Sequence, residues 1–219
     1  MKRSEINRYL REAEAFFARH NFLLPPFAKW SAAECRANLA AWPELVPCQM
    51  GWDITDFGRG HFEQEGLLLF TIRNGRHGVA GAKPYAEKIM ITRVNQVTLL
   101  HCHNTKTEDI INRAGGRLCF KFYNRMGERE LADTPVTVYG DGRPHVVPAG
   151  GVISIGPGES LTLTPGLFHA FWAEGEDVMV GEVSAVNDDH NDNVFYEEQR
   201  RFPQVEEDEE PIHLLVSDY

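Results

Sequence analysis

The sequence predicts a mainly β protein, a barrel or sandwich of short antiparallel strands, with helices confined to its N-terminal part. From Gly51 onward, apolar and β-branched residues come in short strand-length runs. Turn chemistry stands between those runs, at Arg73-Asn74-Gly75, Gly115-Gly116, Gly140-Asp141-Gly142, Gly156-Pro157-Gly158 and Glu174-Gly175. No helical pattern interrupts the series, which leaves sheet packed on sheet, or a sheet closed on itself, as the way to bury one face of each strand.

Residues 4–20 come first and read as a helix. Ile6, Tyr9, Leu10, Ala13, Phe16 and Phe17 recur at helical spacing and form one apolar face, with Ser4 as the expected N-cap. Pro25-Pro26 ends any continuation, and Ser31-Ala32-Ala33-Glu34 has the pattern of a capping box opening a second short helix. Strands are expected near 66–73, 85–93, 97–103, 116–123, 135–139, 143–148, 151–155, 159–163, 168–173 and 178–186. The acidic run Glu206-Glu207-Asp208-Glu209-Glu210 suits a solvated segment or a subunit contact, and the apolar Ile212-His213-Leu214-Leu215-Val216 after it should dock on the body of the protein.

Composition narrows the partners. With 219 residues, 42% of them hydrophobic, the chain can bury a full core as one domain with extensions. Its 22 basic and 32 acidic residues leave a formal charge of −10, which argues against nucleic acid or an anionic membrane and weakly against a phosphorylated substrate. No stretch is long and apolar enough to span a membrane as a helix. The start, Met1-Lys2-Arg3-Ser4-Glu5, leads into a charged amphipathic stretch unlike a signal-peptide core, so a cytoplasmic protein is expected. Cys35, Cys48, Cys102 and Cys119 have no metal or disulfide spacing.

One constellation carries chemistry. His101 and His103 lie two apart on an expected strand and so project from the same face. Glu108 follows closely enough to return to the same point, and His169 on a later strand supplies a third imidazole. Three nitrogens and one oxygen suit one divalent first-row metal per subunit, with Mn2+ the first choice and Co2+, Fe2+, Ni2+ or Zn2+ as alternatives. In an octahedral shell those four ligands leave two cis positions for a substrate.

The spacing from His101 through His103 and Glu108 to Gly115 resembles the first motif of the cupin superfamily, and Pro165-Gly166-Leu167-Phe168-His169 resembles the second. Glycine directly after Pro165, Ala173 in place of an asparagine, and Asn95 in place of a leading glycine depart from the pattern. The resemblance implies a cupin jelly-roll barrel over residues 51–200, with an N-terminal helical extension, 1–50, packed on it and a C-terminal extension, 201–219, in one structural domain.

Further blocks are more specific. They include Leu24-Pro25-Pro26-Phe27-Ala28, Gly51-Trp52-Asp53-Ile54-Thr55-Asp56-Phe57-Gly58, Tyr85-Ala86-Glu87-Lys88, Glu108-Asp109-Ile110-Ile111-Asn112-Arg113, Gly181-Glu182-Val183-Ser184, Asn187-Asp188-Asp189 and Arg201-Phe202-Pro203. Together they resemble the bacterial D-lyxose isomerase family across the whole chain. The resemblance implies a metal-dependent aldose–ketose isomerase converting D-lyxose to D-xylulose, and usually D-mannose to D-fructose. Cys102, Asn104 and Thr107 depart from that family around the paired histidines.

Such a reaction moves a proton between C1 and C2 and another between O1 and O2. A metal holding both oxygens stabilises the enediol, and a base of tuned pKa carries the carbon-bound proton. Glu182, in the apolar run Val178–Val183, is the expected base, its pKa raised by burial. Lys88 is expected to act on the sugar oxygens; Asp188 and Asp189, in a polar loop beyond the last strand, stand at a mouth position for sugar hydroxyls, with Asp188 the one expected to bind them alongside Lys88 and Glu182. The bland readings are a solvent-facing Glu182, a salt-bridged Lys88 and a turn-forming Asp188. Trp52, Phe171 and Trp172 suit core packing better than stacking on a sugar, and His20, His61, His77, His145, His190 and His213 have no ligand spacing. The substrate expected is a small neutral monosaccharide and the assembly a homodimer, because the apolar helix face needs a surface. The same four-ligand shell also fits an Fe(II)-dependent cupin dioxygenase or a non-catalytic sugar-binding cupin.

Overall fold

In the segment Leu67–Arg73 successive side chains alternate between two dry surfaces, and that alternation organises the whole molecule. The computed structural model describes residues 1–219. The helices are α1 (Arg3–Arg19) and α2 (Ala32–Asn38), separated by a 3₁₀ turn at Pro26–Lys29. The strands are β1 (Gly51–Thr55), β2 (Leu67–Arg73), β3 (Tyr85–Thr92), β4 (Val97–His103), β5 (Glu108–Arg125), β6 (Leu131–Ala132), β7 (Val136–Gly140), β8 (Arg143–Val147), β9 (Val152–Ile155), β10 (Ser160–Leu163), β11 (Leu167–Ala185) and β12 (Asn193–Phe195). All named pairings are antiparallel. The fold is a cupin jelly-roll barrel with short N-terminal helices.

Two long strands close it. The C-terminal part of β11, Val178–Ala185, pairs with β3 and with the N-terminal part of β5, while its N-terminal part, Leu167–Glu174, pairs with β4 and the C-terminal part of β5. Outside these run β1-β2-β3 on one side, β10-β7-β8 on another, and β12 beyond β4. The two turns expected at Gly115-Gly116 and Glu174-Gly175 are therefore no turns. They are facing bends inside continuous strands, where the register of β11 on β5 shifts between Glu174 and Val178. Gly115 has φ +99°, and a Cβ there would stand 2.0 Å from the Asp177 carbonyl oxygen, so only glycine lets the two backbones approach at this corner.

On β2, Leu68, Phe70 and Ile72 face outward, where they join Trp52, Ile54, Ile89, Ile91 and Met179 beneath the α1 face of Ile6, Tyr9, Leu10, Ala13, Phe16 and Phe17. The apolar face of α1 is thus covered within its own chain and supplies no argument for a dimer. The other parity of the same strands, Leu69, Met90, Val178 and Val180, packs into the barrel with Phe120, Phe122 and Phe171.

The α1 cap differs from expectation. Helix geometry begins one residue before Ser4, and the Glu5 carboxylate accepts from the Lys2 N–H at 2.8 Å. Ser4 instead donates from N–H and Oγ to Asp208 at 2.9 and 2.7 Å. Arg3 is buried and bonds Glu207 and Asp218, and Asn7 reaches Glu209. The acidic run is therefore an acidic cap supplied by the far end of the same chain to a helix N-terminus, where the helix dipole favours negative charge. The docked tail after it buries Leu214 and Leu215. All four cysteines are buried and free, and no helix is long and apolar enough to cross a membrane.

Candidate active site

Strand register brings the distant site residues together. His169 on β11 stands directly across from His101 on β4, and strand alternation puts His103 on the same inner face. Glu108 opens β5 and points inward beside them. One ring nitrogen from each of His101, His103 and His169 lies within 4.8 Å of the others, and all three residues are buried. Glu108 Oε1 is 3.1 Å from His103 Nε2 and 3.3 Å from His169 Nε2.

The hydrogen bonds of the rings test whether a cation fits. His101 Nδ1 lies 2.7 Å from the Leu99 carbonyl oxygen and His169 Nδ1 3.0 Å from that of Leu167. A carbonyl can only accept, so both rings carry their proton on Nδ1 and present an Nε2 lone pair to the barrel. His169 Nε2 is buried without a hydrogen-bond partner and faces a carboxylate oxygen, another lone-pair donor. Two such groups face each other stably when a cation lies between them. Burial, reinforced by His169 and His103, holds His101 well below the usual imidazole range, so its ring stays neutral. Burial alone would raise the Glu108 carboxyl, but Lys106 and His103 outweigh it and hold it well below the usual carboxylate range. The donor set thus fits a divalent metal.

The register of β3 on β11 makes Lys88 and Glu182 a cross-strand pair, with Nζ and Oε1 3.5 Å apart. Lys106 Nζ sits between the two carboxylates, 2.7 Å from Glu108 Oε2 and 3.0 Å from Glu182 Oε1. The Ser184 hydroxyl donates to the same Glu182 oxygen at 2.9 Å, and Lys88 donates to Asn187 Oδ1. Glu182 departs from expectation in one respect. Burial does push its pKa up, but Lys106 and Lys88 together outweigh burial, and the net shift is downward. Lys88, Lys106, Glu108 and Glu182 line, with the three histidines, a cavity whose apolar walls include Phe57, Leu69, Met90, Phe171 and Phe195.

Comparison with known proteins fixes the family. The family model described as D-lyxose isomerase matches residues 1–219. A D-lyxose/D-mannose isomerase of Escherichia coli O157:H7 is 46% identical over 223 aligned positions, covering 100% of this chain and 98% of the relative. One of Serratia proteamaculans is 47% identical with the same coverage. The chain belongs to the D-lyxose isomerase family. As such it is an aldose–ketose isomerase. Among solved structures, L-ribose isomerase of Acinetobacter sp. DL28 in complex with L-ribose superposes with a TM-score of 0.60 at 16% identity, over 93% of this chain and 98% of that one. L-ribose isomerase of Cellulomonas parahominis with L-psicose gives 0.57 at 17% identity, over 90% and 93%. At that identity the likeness speaks for the fold alone.

Within this family member the structure redistributes some expected roles. Asp188 does not line the cavity; its carboxylate caps a turn, accepting from the N–H groups of His190 and Asn191 and from the Asn191 side chain. The next residue, Asp189, lines the cavity instead and pairs with Arg201. The Asn187-Asp188-Asp189 loop has no strand periodicity, so sequence alone does not tell which carboxylate turns inward. Trp52 packs under α1, its Nε1 donating to the Ala28 carbonyl, and Trp172 bonds Glu174; only Phe171 of the three reaches the cavity. Lys106 and Arg201 went unread as site residues. A signal for Lys106 existed: it lies inside the motif between His103 and Glu108, at even spacing from Glu108.

Proposed function

We propose that the chain interconverts D-lyxose with D-xylulose, and D-mannose with D-fructose, as a divalent-metal-dependent ketol-isomerase. The observation that carries this reading is the juxtaposition, in a chain of this family, of the three-imidazole, one-carboxylate cluster with Glu182 held between Lys88 and Lys106. His101, His103, His169 and Glu108 would hold the metal, with Mn2+ the first choice for this donor set. When bound, the metal supplies Lewis-acid polarisation of the sugar's adjacent carbonyl and hydroxyl oxygens.

The remaining work falls to side chains. Glu182 takes the proton from C2 of the aldose and returns it to C1, while the proton leaving the C2 hydroxyl passes to O1. Its lowered pKa keeps it ionised at neutral pH, as a base must be, at some cost in basicity. Lys106 and Lys88 offset that cost by donating toward oxygens on which negative charge develops. Lys88 is fixed by Asn187, and Lys106 by the two carboxylates, so neither has to reorganise during reaction. A homodimer accompanies this proposal, supported by the exposed outer edge at β8, where Val146 is 67% exposed; sedimentation showing only monomer at micromolar protein would remove it.

The deciding experiment offers the manganese-loaded protein a panel of aldoses and measures ketose. D-lyxose and D-mannose should lead, and turnover in deuterated water should place deuterium at C1 of the ketose. Oxygen consumption by an iron-loaded sample without ketose from any aldose would replace this reading with the dioxygenase. Sugar binding without turnover would replace it with a binding protein.

A further inference from the structure

The cavity has a second polar wall that shares no hydrogen bond or ion pair with the four-residue cluster. Arg201, from the segment after β12, enters the cavity wall, where its side chain is 12% exposed. Its Nη2 donates to Asp53 Oδ2 at 2.6 Å and to Asp189 Oδ2 at 3.1 Å, whereas its Nη1 is buried and has no partner. Asp53 comes from the inner parity of β1 and Asp189 from the loop beyond β11, so two independent elements grip one edge of a planar group. Burial opposes the charge on both carboxylates: Arg201 and then Lys88 outweigh it at Asp189 and hold that carboxyl far below its usual range, whereas at Asp53 burial wins over Arg201 and raises the carboxyl. The segment bearing Arg201 is itself tied down just beyond it. The Met1 amino group donates to the Gln204 carbonyl at 2.8 Å, and Glu206 exchanges backbone hydrogen bonds with Met1 and Arg3.

A buried guanidinium edge without an acceptor is costly, and folded proteins keep such donors mostly where a ligand or water completes them. Here the occupied edge is locked and the free edge is already oriented, so little entropy is lost when an acceptor arrives. With carbons 1 and 2 of an aldose at the metal cluster, the sugar's remaining hydroxyls extend along the cavity. We infer that Arg201, fixed by Asp53 and Asp189, is a specificity-determining residue whose free edge donates to a sugar hydroxyl beyond C2. The inference rests on the isomerase reading for which end of the sugar meets the metal.

The test compares D-lyxose with its 3-, 4- and 5-deoxy analogues in the wild type and in Arg201→Lys. Lysine keeps the charge for Asp53 and Asp189 but has no second nitrogen in a fixed plane. In the wild type, one of the three deoxy sugars should lose about 10- to 100-fold in kcat/KM, the range for a lost hydrogen bond to a charged group. In Arg201→Lys, D-lyxose itself should lose that factor, mostly through KM, and deleting the same hydroxyl should cost nothing further. A purely structural Arg201 would lower activity without erasing that discrimination. Should Arg201→Lys misfold, Arg201→Gln with Asp189→Asn removes the cation and one of its anions together, and the same comparison applies. Calorimetric binding of the four sugars to manganese-loaded Glu182→Gln, with and without Arg201→Lys, repeats the test without turnover. Discrimination equal in both backgrounds overturns the inference while leaving the isomerase intact. Discrimination erased in binding, in a wild type that turns over no sugar, supports Arg201 and overturns the isomerase reading. A wild type that neither binds nor converts any of the sugars overturns both.

Discussion

The two faces of the β1-β2-β3-β11 sheet are made by the same strands and obey opposite rules. On the outer face Trp52, Ile54, Leu68, Phe70, Ile89, Ile91 and Met179 meet α1 in a core without charges. On the inner face, one residue along in each strand, stand Asp53, Thr55, Lys88 and Glu182, all buried, beside Leu69 and Met90. Apolar contacts are non-directional, so the outer face is held by volume and area. Buried charges are tolerable only when each has its partner, so the inner face is held by specific pairs: Lys88 and Lys106 on Glu182, Lys106 on Glu108, Arg201 on Asp53 and Asp189. The comparison teaches that a period of two lets a single sheet be a scaffold on one side and a reactor on the other.

Substitutions can break that division or sharpen it. The largest effect is expected at the inner face: His169→Ala should lose both bound metal and turnover, read by metal analysis and ketose assay. A variant that keeps a full metal equivalent and wild-type turnover would remove His169 from the ligand set. Next, Glu182→Gln keeps the shape and should keep the metal while lowering turnover by roughly 10²-fold or more. An active Glu182→Gln together with no solvent deuterium in the product would remove Glu182 as proton carrier.

At the outer face, Phe70→Ala should cost about 3–5 kcal/mol of stability through the cavity it leaves. Turnover per folded molecule should hardly change, and thermal unfolding beside a cold assay separates the two. A large loss of turnover in folded Phe70→Ala would show that the faces are not independent.

The smallest effect is expected where the chain ends meet. Arg3→Ala should cost about 1–2 kcal/mol, since one partner, Glu207, is largely exposed and screened by water. The same clamp has a pH signature. Hydrogen bonding to Arg3 holds the Glu207 carboxyl below its usual value of 4.5, so its contribution is full above that value and fades as pH falls through the lower folded value. The protection factors of the amides at residues 204–208, corrected for the intrinsic exchange rate at each pH, should therefore fall below about pH 4.5 in the wild type. Arg3→Ala should show that lower protection already at neutral pH. Protection in the wild type that ignores acid would exclude the ion pair as the tie.

The positions of β2, β3 and β4 were legible because runs of apolar and β-branched residues stand between turn residues. Strand alternation made His101 and His103 legible as one face. Four other features were not. Gly115-Gly116 and Glu174-Gly175 carry turn chemistry, and local chemistry cannot distinguish a turn from two bends that face each other across a ladder. β1 was missed as a strand although Trp52-Asp53-Ile54-Thr55 alternates, because the run is only five residues long and carries Gly51 and Asp53, residues that strands disfavour. The cap at Ser4 was misplaced because its partner, Asp208, lies 204 residues away. The direction of the Glu182 pKa was misjudged because burial is readable from an apolar run, whereas Lys106, 76 residues away, is not.

By itself, then, the sequence determined the fold class, the helix, most strand positions and the shared face of His101 and His103, because each rests on periodicity or on spacing within a few residues. Only the tertiary structure decided which carboxylate of Asp188-Asp189 turns into the cavity, that Lys106 bridges Glu108 and Glu182, and that Arg201 reaches the cavity wall from the chain's last twenty residues. The physical reason is reach. Covalent neighbours constrain one another over a few ångströms of chain, whereas the charges that tune a buried site arrive from strands and tails whose meeting is set by the closure of the whole barrel.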